Sequence, residues 1–227
     1  RDGRPFLSIE FRNETGAIGG KVWAERIYLF DDVAVGDAVE VRGVVTVYKD
    51  ERQLDVQAVV RLGHDHPVRL HMNPVSPVPV EEIRARFDAM YERISHPGYC
   101  AFVDFVLDEI GRDLYFEAPA AMGHHHAYIR GLAEHSVEVA EIACAMAQLP
   151  RIASQVNVSA LIASALLHDS PKAMEYEWRG RPTNISKRGR FVGHLTMGPM
   201  VYQAVWLKHR DELVALGLTE DDFWHLV

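Results

Sequence analysis

The chain has 227 residues, with 24 Lys and Arg against 32 Asp and Glu, which gives a formal net charge of −8. This length fits one large domain or two small ones. Hydrophobic residues at 48% and charged residues at 25% are typical of an ordinary globular protein. The negative charge excludes binding to nucleic acid through overall charge, so any such contact must be local. No run of about 18 apolar residues occurs, which predicts no membrane-spanning helix.

Cysteine usage and the chain ends give two further expectations. Cys100 and Cys144 belong to no CxxC pair, which favours a reducing, cytoplasmic setting. Cys144 lies in an apolar helical pattern and is expected to be a small core residue. The first residues are typical neither of a signal peptide nor of an initiation site, and the last ones fall inside an apolar helical pattern. We therefore expect a fragment at both ends.

Residues 5 to 61 follow the period of two that is typical of β-strands. Apolar and polar residues alternate at 7–11, 39–47 and 54–60, and a short strand fits around 21–23. Glycine- and aspartate-containing turns separate these segments. Four strands are too few for a two-sheet sandwich, so we predict a small incomplete barrel over residues 1–62 whose first strand is missing.

The remaining chain predicts a linker and a helical domain. Residues 63–79 are rich in proline, which favours an extended, semi-rigid connection. From residue 80 to residue 227 apolar residues recur at helical spacings, and helices are predicted at 81–94, 101–110, 131–149, 158–168 and about 198–210. A last helix is predicted from Thr219, which suits the N-cap, with Asp222 at the third helical position. The predicted fold class is therefore multidomain α and β, with an all-α second domain.

The adjacent pair His168-Asp169 ends the apolar run of the 158–168 helix. Leu161 lies seven residues before His168, so the two share one stripe and His168 is predicted to point inward. Inward His and Asp side chains need partners, because unpaired buried charge is costly. A divalent cation satisfies both, and His135 on the preceding helix offers a further ligand. This donor set suits Mn²⁺, Fe²⁺, Co²⁺, Ni²⁺ or Zn²⁺ better than Ca²⁺.

Three further residues are predicted near this centre. His194 follows Gly193 and opens a helical segment, where it could serve a second metal that helps to clamp a phosphate. Pro171 stops the preceding helix, which places Lys172 on the turn past the His-Asp pair, where it can meet a phosphate oxygen. His126, in the histidine run 124–126, is expected at the mouth of the site as a substrate-contacting or supporting group. A solvated loop is the competing interpretation of that run.

With these residues in place, the chain resembles the HD-domain phosphohydrolases. It resembles more closely the YhaM-type 3′→5′ exoribonucleases, in which an OB-fold precedes an HD domain. In the front part, Lys21-Val22-Trp23 and Val35-Gly36-Asp37 carry the resemblance. In the back part three motifs occur in the order of the family, namely Gly131-Leu132-Ala133-Glu134-His135, Leu166-Leu167-His168-Asp169 and Gly193-His194.

The resemblance implies an OB-fold domain at 1–62, a linker at 63–79 and an HD domain at 80–227. It implies His135, His168 and Asp169 as metal ligands and His194 as a further one, with Mn²⁺ or Co²⁺ supporting hydrolysis from a 3′ end. A later His-His pair and a final aspartate would lie beyond residue 227. Ser170-Pro171 stands where the family has Ile-Gly or Leu-Gly, a stiffer turn that can shift Lys172.

The resemblance also implies a single-stranded RNA or DNA partner for the OB-fold. Trp23 and Tyr48 offer stacking surfaces, and Lys21 and Arg42 are nearby cations. Ordinary barrel packing or a solvated surface is the competing interpretation for each of these residues. No membrane partner is expected, and a homo-oligomer stays open.

A cluster of five cations between residues 179 and 190 is free of acidic residues and predicts a local basic loop. Within it, Arg188 and Arg190 can contact phosphates of a bound strand. A flexible solvated loop is the competing interpretation.

The favoured function is that of a metal-dependent phosphodiesterase, a 3′→5′ exonuclease on single-stranded RNA, with single-stranded DNA as a further substrate. Lys172 and the basic loop would stabilise charge that develops on the phosphate. One alternative is an HD phosphohydrolase of mononucleotides. The other is a non-catalytic nucleic-acid-binding scaffold with a degenerate HD site, an interpretation motivated by Ser170-Pro171.

Overall fold

The computed structural model describes residues 5–63, 66–179, 181 and 183–226. The chain divides into two compact units, Arg1–Pro74 with Trp178–Thr183, and Val75–Glu177 with Asn184–Val227. The division after Pro74 falls inside the segment 63–79 for which a linker was predicted. Among the described helices, none combines the length and apolar character needed to cross a lipid bilayer.

The first unit is built on a four-stranded sheet, in which the strands lie in the order β1-β2-β4-β3. The strands are β1 (Phe6–Asn13), β2 (Gly16–Trp23), β3 (Val39–Tyr48) and β4 (Glu51–Arg61). β1 and β2 form one antiparallel hairpin, β3 and β4 form another, and β2 pairs with β4 in parallel. The described part of the sheet does not close into a barrel, and the four strands predicted for this part of the chain are confirmed.

The β3–β4 hairpin shows how local sequence sets this sheet. Lys49 and Asp50 adopt positive φ angles of 52° and 65°. Two such residues between antiparallel strands make the type I′ turn whose twist matches that of the strands. The register shifts between Arg42 and Gly43. A Cβ on Gly43 would lie 2.3 Å from the carbonyl oxygen of Asp55, so the close approach of β4 at this bulge requires glycine.

The buried side chain of Asn73 fastens the Trp178–Thr183 segment within the first unit. Its Nδ2 donates to the carbonyl oxygens of Trp178 at 3.0 Å and Arg181 at 2.8 Å. Its Oδ1 accepts from the backbone nitrogen of Thr183 at 2.8 Å. One amide thus satisfies three backbone groups of a segment that lies more than 100 residues further along the chain.

The second unit is helical, with one small two-stranded sheet. Its helices are α1 (Val80–Tyr91), α2 (Pro97–Ile110), α3 (Arg112–Glu117), α4 (Gly131–Ala147), α5 (Val158–Leu167), α6 (Lys172–Glu175), α7 (Lys187–Val192), α8 (His194–Ala215) and α9 (Glu220–Trp224). The small sheet pairs β5 (Tyr176–Glu177) with β6 (Asn184–Ile185).

The core of the second unit lies where α4 and α5 pack together with α1 and α2. Leu132 on α4, Ile162 on α5 and Phe102 on α2 are fully buried. Cys144 is also buried in α4, as predicted. The Tyr115 hydroxyl of α3 donates to the carbonyl oxygen of Leu166 at 2.8 Å, which satisfies a carbonyl near the end of α5.

The long helices predicted from the sequence are confirmed, with corrected bounds. α2 begins at Pro97 rather than at 101, because His96 caps the helix by accepting from the Gly98 nitrogen. α8 begins at His194 rather than near 198. It kinks at His209, next to the predicted end, and then continues to Ala215. The short helices α3, α6 and α7 were not predicted, and α7 replaces the second half of the predicted basic loop.

The predicted start of the last helix is confirmed. The Thr219 hydroxyl accepts from the Asp222 nitrogen at 3.1 Å, and the Asp222 carboxylate accepts from the Thr219 nitrogen at 3.0 Å. These reciprocal bonds form a capping box at the N-terminus of α9.

Replacing Leu132 by Ala should lower the free energy of unfolding by about 2–5 kcal/mol, because it removes a fully buried side chain and leaves a cavity. The matched variant Ile142→Ala alters the same helix where the side chain is 62% exposed, and should change stability by no more than about 0.5 kcal/mol. Urea denaturation followed by circular dichroism measures both. Equal losses from the two variants would contradict the buried face assigned to α4.

Candidate metal centre

The carboxylate of Asp169 is the point at which four elements of the second unit meet. Its Oδ2 lies 3.5 Å from His135 Nε2 on α4, 3.3 Å from His168 Nε2 at the end of α5, and 2.8 Å from Lys172 Nζ at the start of α6. Its Oδ1 lies 3.8 Å from Nε2 of His194, the first residue of α8. The structure therefore brings together five of the residues singled out from the sequence.

The spacing of three of these groups fits a divalent cation. The ligand atoms of His135, His168 and Asp169 all lie within 4.8 Å of one another. A tetrahedral ion with ligand bonds of about 2.1 Å holds neighbouring ligand atoms about 3.4 Å apart. The two imidazole-to-carboxylate separations of 3.3 and 3.5 Å match this edge length. Two nitrogen donors and one oxygen donor suit Mn²⁺, Fe²⁺, Co²⁺, Ni²⁺ or Zn²⁺.

Electrostatics keep the central carboxylate ionised. Burial raises the pKa of Asp169, but hydrogen bonds from His135 and His168 outweigh burial and, with Lys172, hold this pKa well below its ordinary value. Burial lowers the pKa of His168, but the hydrogen bonds to Asp169 and to the Ala165 carbonyl outweigh it, so this pKa is raised. The charge of Asp169 is thus maintained across the physiological pH range.

The hydrogen bond of His168 to its own helix also sets which ring nitrogen faces the carboxylate. Nδ1 of His168 lies 2.8 Å from the carbonyl oxygen of Ala165. A carbonyl accepts only, so Nδ1 carries a proton in both charge states of the ring. Nε2 donates to Asp169 when the ring is protonated, and in the neutral ring it presents a lone pair to the centre. Such a backbone partner orients a metal-binding imidazole.

The Ser170-Pro171 turn leaves Lys172 beside Asp169. Ser170 is fully buried, and its Oγ lies 3.1 Å from the hydroxyl oxygen of Tyr202. The Tyr202 hydroxyl donates its one hydrogen to the Leu167 carbonyl oxygen, so it accepts from Ser170. The Lys172 nitrogen donates to the Asp169 carbonyl oxygen at 2.9 Å. The turn is therefore anchored by α8, and the shift of Lys172 expected from the stiffer turn does not separate its ammonium from the carboxylate.

A buried carboxylate that the sequence did not indicate lies behind His194. Glu175 Oε2 is 2.6 Å from His194 Nδ1, and the residue is only 7% exposed. The carboxylate holds the proton on Nδ1 and leaves Nε2 facing Asp169. A Cβ on Gly189 would lie 2.5 Å from the Glu175 carbonyl oxygen, so α7 packs directly on this residue. No local pattern marks a pairing that spans 19 residues.

His126 lies beside His135 rather than on Asp169. The two rings are 5.3 Å apart between centroids, and His126 Nε2 is 3.1 Å from Glu138 Oε2. His126 has a positive φ of 56°, and a Cβ on Gly131 would lie 2.1 Å from its carbonyl oxygen. Gly131 thus permits the close approach that seats His126 against α4. Glu138 is a second carboxylate that no sequence pattern had indicated.

In the first unit the predicted stacking residues form a small exposed cluster. Lys21 Nζ lies 4.6 Å from the centroid of the Tyr48 ring and 5.3 Å from that of Phe6. Phe6 contacts Trp23, with ring centroids 6.0 Å apart. All three rings are more than one third exposed. Phe6 was not predicted to take part.

The remaining predicted cations do not join that cluster. Arg42 pairs with Glu40 on its own strand at 2.9 Å. Arg188 and Arg190 are exposed on α7 in the second unit and form no ion pair with any other described residue. Arg179 and Arg181 belong to the first unit, so the predicted basic loop is divided between the two units.

Comparison with known families agrees with this architecture. Residues 1–62 match the family of the OB-fold nucleic acid binding domain, and residues 132–215 match the HD domain family. The chain combines an OB-fold domain with an HD domain. The HD match contains His135, His168, Asp169 and His194 and includes the whole convergence on the Asp169 carboxylate.

Curated relatives named 3′-5′ exoribonuclease YhaM match most of this OB-fold and HD chain. The protein of Geobacillus sp. (strain WCH70) is 27% identical over 203 residues, which cover 86% of this chain and 59% of the relative. The proteins of Listeria monocytogenes and Bacillus licheniformis are 24% identical over 197 and 199 residues, which cover 86% of this chain and 61% of each relative. The chain therefore spans about three fifths of the length of these relatives. No solved structure matches it at a significant level.

Replacing Glu175 by Ala should change the tautomer of His194. The wild-type ring should be protonated at Nδ1, because the carboxylate accepts that proton at 2.6 Å. Without it, the proton should move in part to Nε2. Long-range ¹⁵N–¹H correlation spectra measure the tautomer, and His168 serves as an internal control because its Ala165 partner is unchanged. An unaltered His194 pattern would contradict the orienting role of Glu175.

Proposed function

We propose that this chain is the OB-fold and HD portion of a metal-dependent phosphodiesterase that cuts single-stranded RNA from its 3′ end. The observation that carries the proposal is the convergence of two histidines and a lysine on the buried Asp169 carboxylate. The HD match and the relatives named 3′-5′ exoribonuclease support it. Single-stranded DNA is a further substrate of the same chemistry.

Three side chains in the proposed site have the chemistry to hold the ion. His135, His168 and Asp169 supply two nitrogens and an ionised oxygen, and Mn²⁺ or Co²⁺ is the proposed occupant within the wider set of suitable cations. A bound divalent ion lowers the pKa of a water molecule and stabilises charge on a phosphate oxygen. His194 is the proposed further ligand, since Glu175 turns its Nε2 towards Asp169.

Lys172 and His126 are proposed to act on the substrate. Lys172 places its ammonium 2.8 Å from Asp169 Oδ2, so a phosphate bound at the proposed metal site would meet a fixed positive charge. His126 lies beside the His135 ring and is proposed to contact the substrate or to support that ring. Arg188 and Arg190 on α7 offer cations for neighbouring phosphates.

The first unit is proposed to bind the single strand. Trp23, Tyr48 and the previously unpredicted Phe6 present aromatic faces, and Lys21 lies over two of these rings. Rings of this kind stack with bases of any sequence, and a lysine beside them attracts the backbone. Arg42, which pairs with Glu40, is assigned a weaker part.

Wild-type protein loaded with Mn²⁺ should shorten a 5′-labelled single-stranded RNA stepwise from its 3′ end. Asp169→Asn should slow this reaction by more than about 100-fold. Removal of a residue that only hydrogen-bonds to a metal ligand already lowers activity by about 10–100-fold, and Asp169 is a proposed ligand itself. The matched control Asp113→Asn alters an exposed aspartate on α3 and should leave the rate unchanged. Gel electrophoresis of the labelled products measures the rate.

The same assay separates the alternatives. Free nucleotides consumed while the labelled RNA stays intact would instead establish the mononucleotide phosphohydrolase. RNA that is bound but not cut by the metal-loaded protein would favour the non-catalytic scaffold.

Trp23→Ala and Tyr48→Ala should each weaken binding of single-stranded RNA by about 1–3 kcal/mol, since each removes one stacking surface. The matched control Tyr28→Ala removes a tyrosine of the same unit that is 66% exposed and has no ring or cation partner in the described part of the chain. It should leave the affinity unchanged. Fluorescence anisotropy of a labelled strand measures all three, and equal effects of Tyr48→Ala and Tyr28→Ala would contradict the assignment of the cluster.

A further inference from the structure

Four exposed residues form one surface of α7, which we call the basic aromatic face: Lys187, Arg188, Arg190 and Phe191. Successive residues of an α-helix are turned by about 100° from one another. In this projection Arg188 lies on one side of Phe191, and Lys187 and Arg190 lie on the other. Lys187 and Arg188 stand four and three residues before Phe191, which makes them its neighbours on the helix surface. The ring therefore lies in the middle of three cations.

The opposite side of α7 is fixed to the backbone of Glu175. Gly189 is buried, and a Cβ there would lie 2.5 Å from the Glu175 carbonyl oxygen. The Ser186 nitrogen donates to the same carbonyl oxygen at 2.8 Å, and the Ser186 hydroxyl caps α7 by accepting from the Gly189 nitrogen at 2.9 Å. These contacts hold the helix in one orientation, in which Phe191 is turned away from Glu175.

The positive charge of the basic aromatic face is not compensated within the chain. Residues 178–210 contain none of the 32 Asp and Glu residues. In the part of the chain that the structure describes, Lys187, Arg188 and Arg190 form no ion pair. These three charges are therefore available to an anionic ligand, although the net charge of the whole chain is −8.

The ring of Phe191 is open to a ligand as well. Phe191 is 81% exposed, and among the described residues it has no ring or cation contact. Exposed rings that alternate with cations suit single-stranded nucleic acid, because the rings stack with bases and the cations follow the phosphates. Trp224 lacks this setting. It is 57% exposed, but it lies on α9, whose first turn carries three acidic residues.

We propose that the basic aromatic face of α7 binds a nucleotide unit of single-stranded RNA. Phe191 stacks on a base, and the three cations around it bind the phosphates on either side of that base. The cations favour a polyanion, and the open ring favours a planar base. Single-stranded nucleic acid is the ligand that offers both groups at once.

The bound unit would lie beside the candidate metal centre. Phe191 precedes His194 by three residues, so their Cα atoms are at most about 11 Å apart. Nε2 of His194 lies 3.8 Å from Asp169 Oδ1. A strand on α7 therefore passes close to this centre, and the basic aromatic face would guide it there. This guiding role rests on the proposed function, whereas the binding of RNA to α7 does not.

The test is the affinity of the full chain for a dye-labelled single-stranded RNA, measured by fluorescence anisotropy in EDTA so that no strand is cut. Phe191→Leu removes the ring but keeps an apolar side chain. It should weaken binding by about 5-fold or more, which corresponds to about 1 kcal/mol for one lost stacking contact. Phe191→Tyr keeps a ring and should bind as wild type does. Trp224→Leu is the matched control from an acidic helix and should leave the affinity unchanged.

An abasic strand of the same length separates stacking from charge. It carries the same phosphates but no bases, so Phe191→Leu should leave its affinity unchanged. Arg190→Gln should weaken the binding of both strands. It should also reduce the slope of log affinity against log salt concentration by about 0.7, the value for one phosphate contact of a single strand. Circular dichroism checks that each variant is folded.

Equal affinities of wild type and Phe191→Leu for RNA would overturn the proposal. So would equal losses for the RNA and the abasic strand, because the ring would then not act on a base. Failure of the proposed function gives a different result. In that case metal-loaded wild type leaves RNA intact, while Phe191→Leu still binds RNA more weakly than wild type does.

Discussion

The arrangement of helices in the second unit depends on one interaction, the compensation of the buried negative charge of Asp169. Asp169 lies just past the end of α5, which is almost wholly apolar. An unpaired carboxylate buried at this point would strongly destabilise the fold. Two imidazoles and an ammonium reach it from α4, the end of α5 and the start of α6. These contacts constrain the relative positions of the three helices more narrowly than apolar packing alone, because hydrogen bonds are directional.

Part of this arrangement was predictable, because its principal residues stand in recognisable local sequence patterns. The His168-Asp169 pair is adjacent and ends an apolar run, and His135 lies within a regular amphipathic pattern. The strands of the first unit and the long helices follow from periodicities of 2 and 3.6. The α9 capping box is a four-residue signal, and it placed the helix start correctly.

The rest of the centre was not predictable because it is formed by contacts between distant residues. Glu175 and Glu138 act through partners on other segments, and neither residue stands in a pattern that separates it from an ordinary helix-surface glutamate. The short helices α3, α6 and α7 are too brief for their periodicity to be recognised. The return of Trp178–Thr183 to the first unit depends on Asn73, whose role appears only once the chain is folded.

The two units present different kinds of chemical groups. The helical unit supplies charge, directional donors and buried carboxylates, which are the elements of hydrolytic chemistry. The sheet supplies exposed rings beside a lysine, an arrangement suited to contacts that ignore base identity. The two units together span about three fifths of the length of the curated relatives.

The close contact at Gly189 limits the amino-acid substitutions that this protein can tolerate. Glycine there lets α7 rest directly on the backbone of Glu175, whose side chain in turn orients His194. Any larger residue at this position would displace the carboxylate and release the imidazole from its fixed tautomer. The position of α7 is therefore coupled to the orientation of His194 through Glu175, and this coupling limits which residues position 189 can accept.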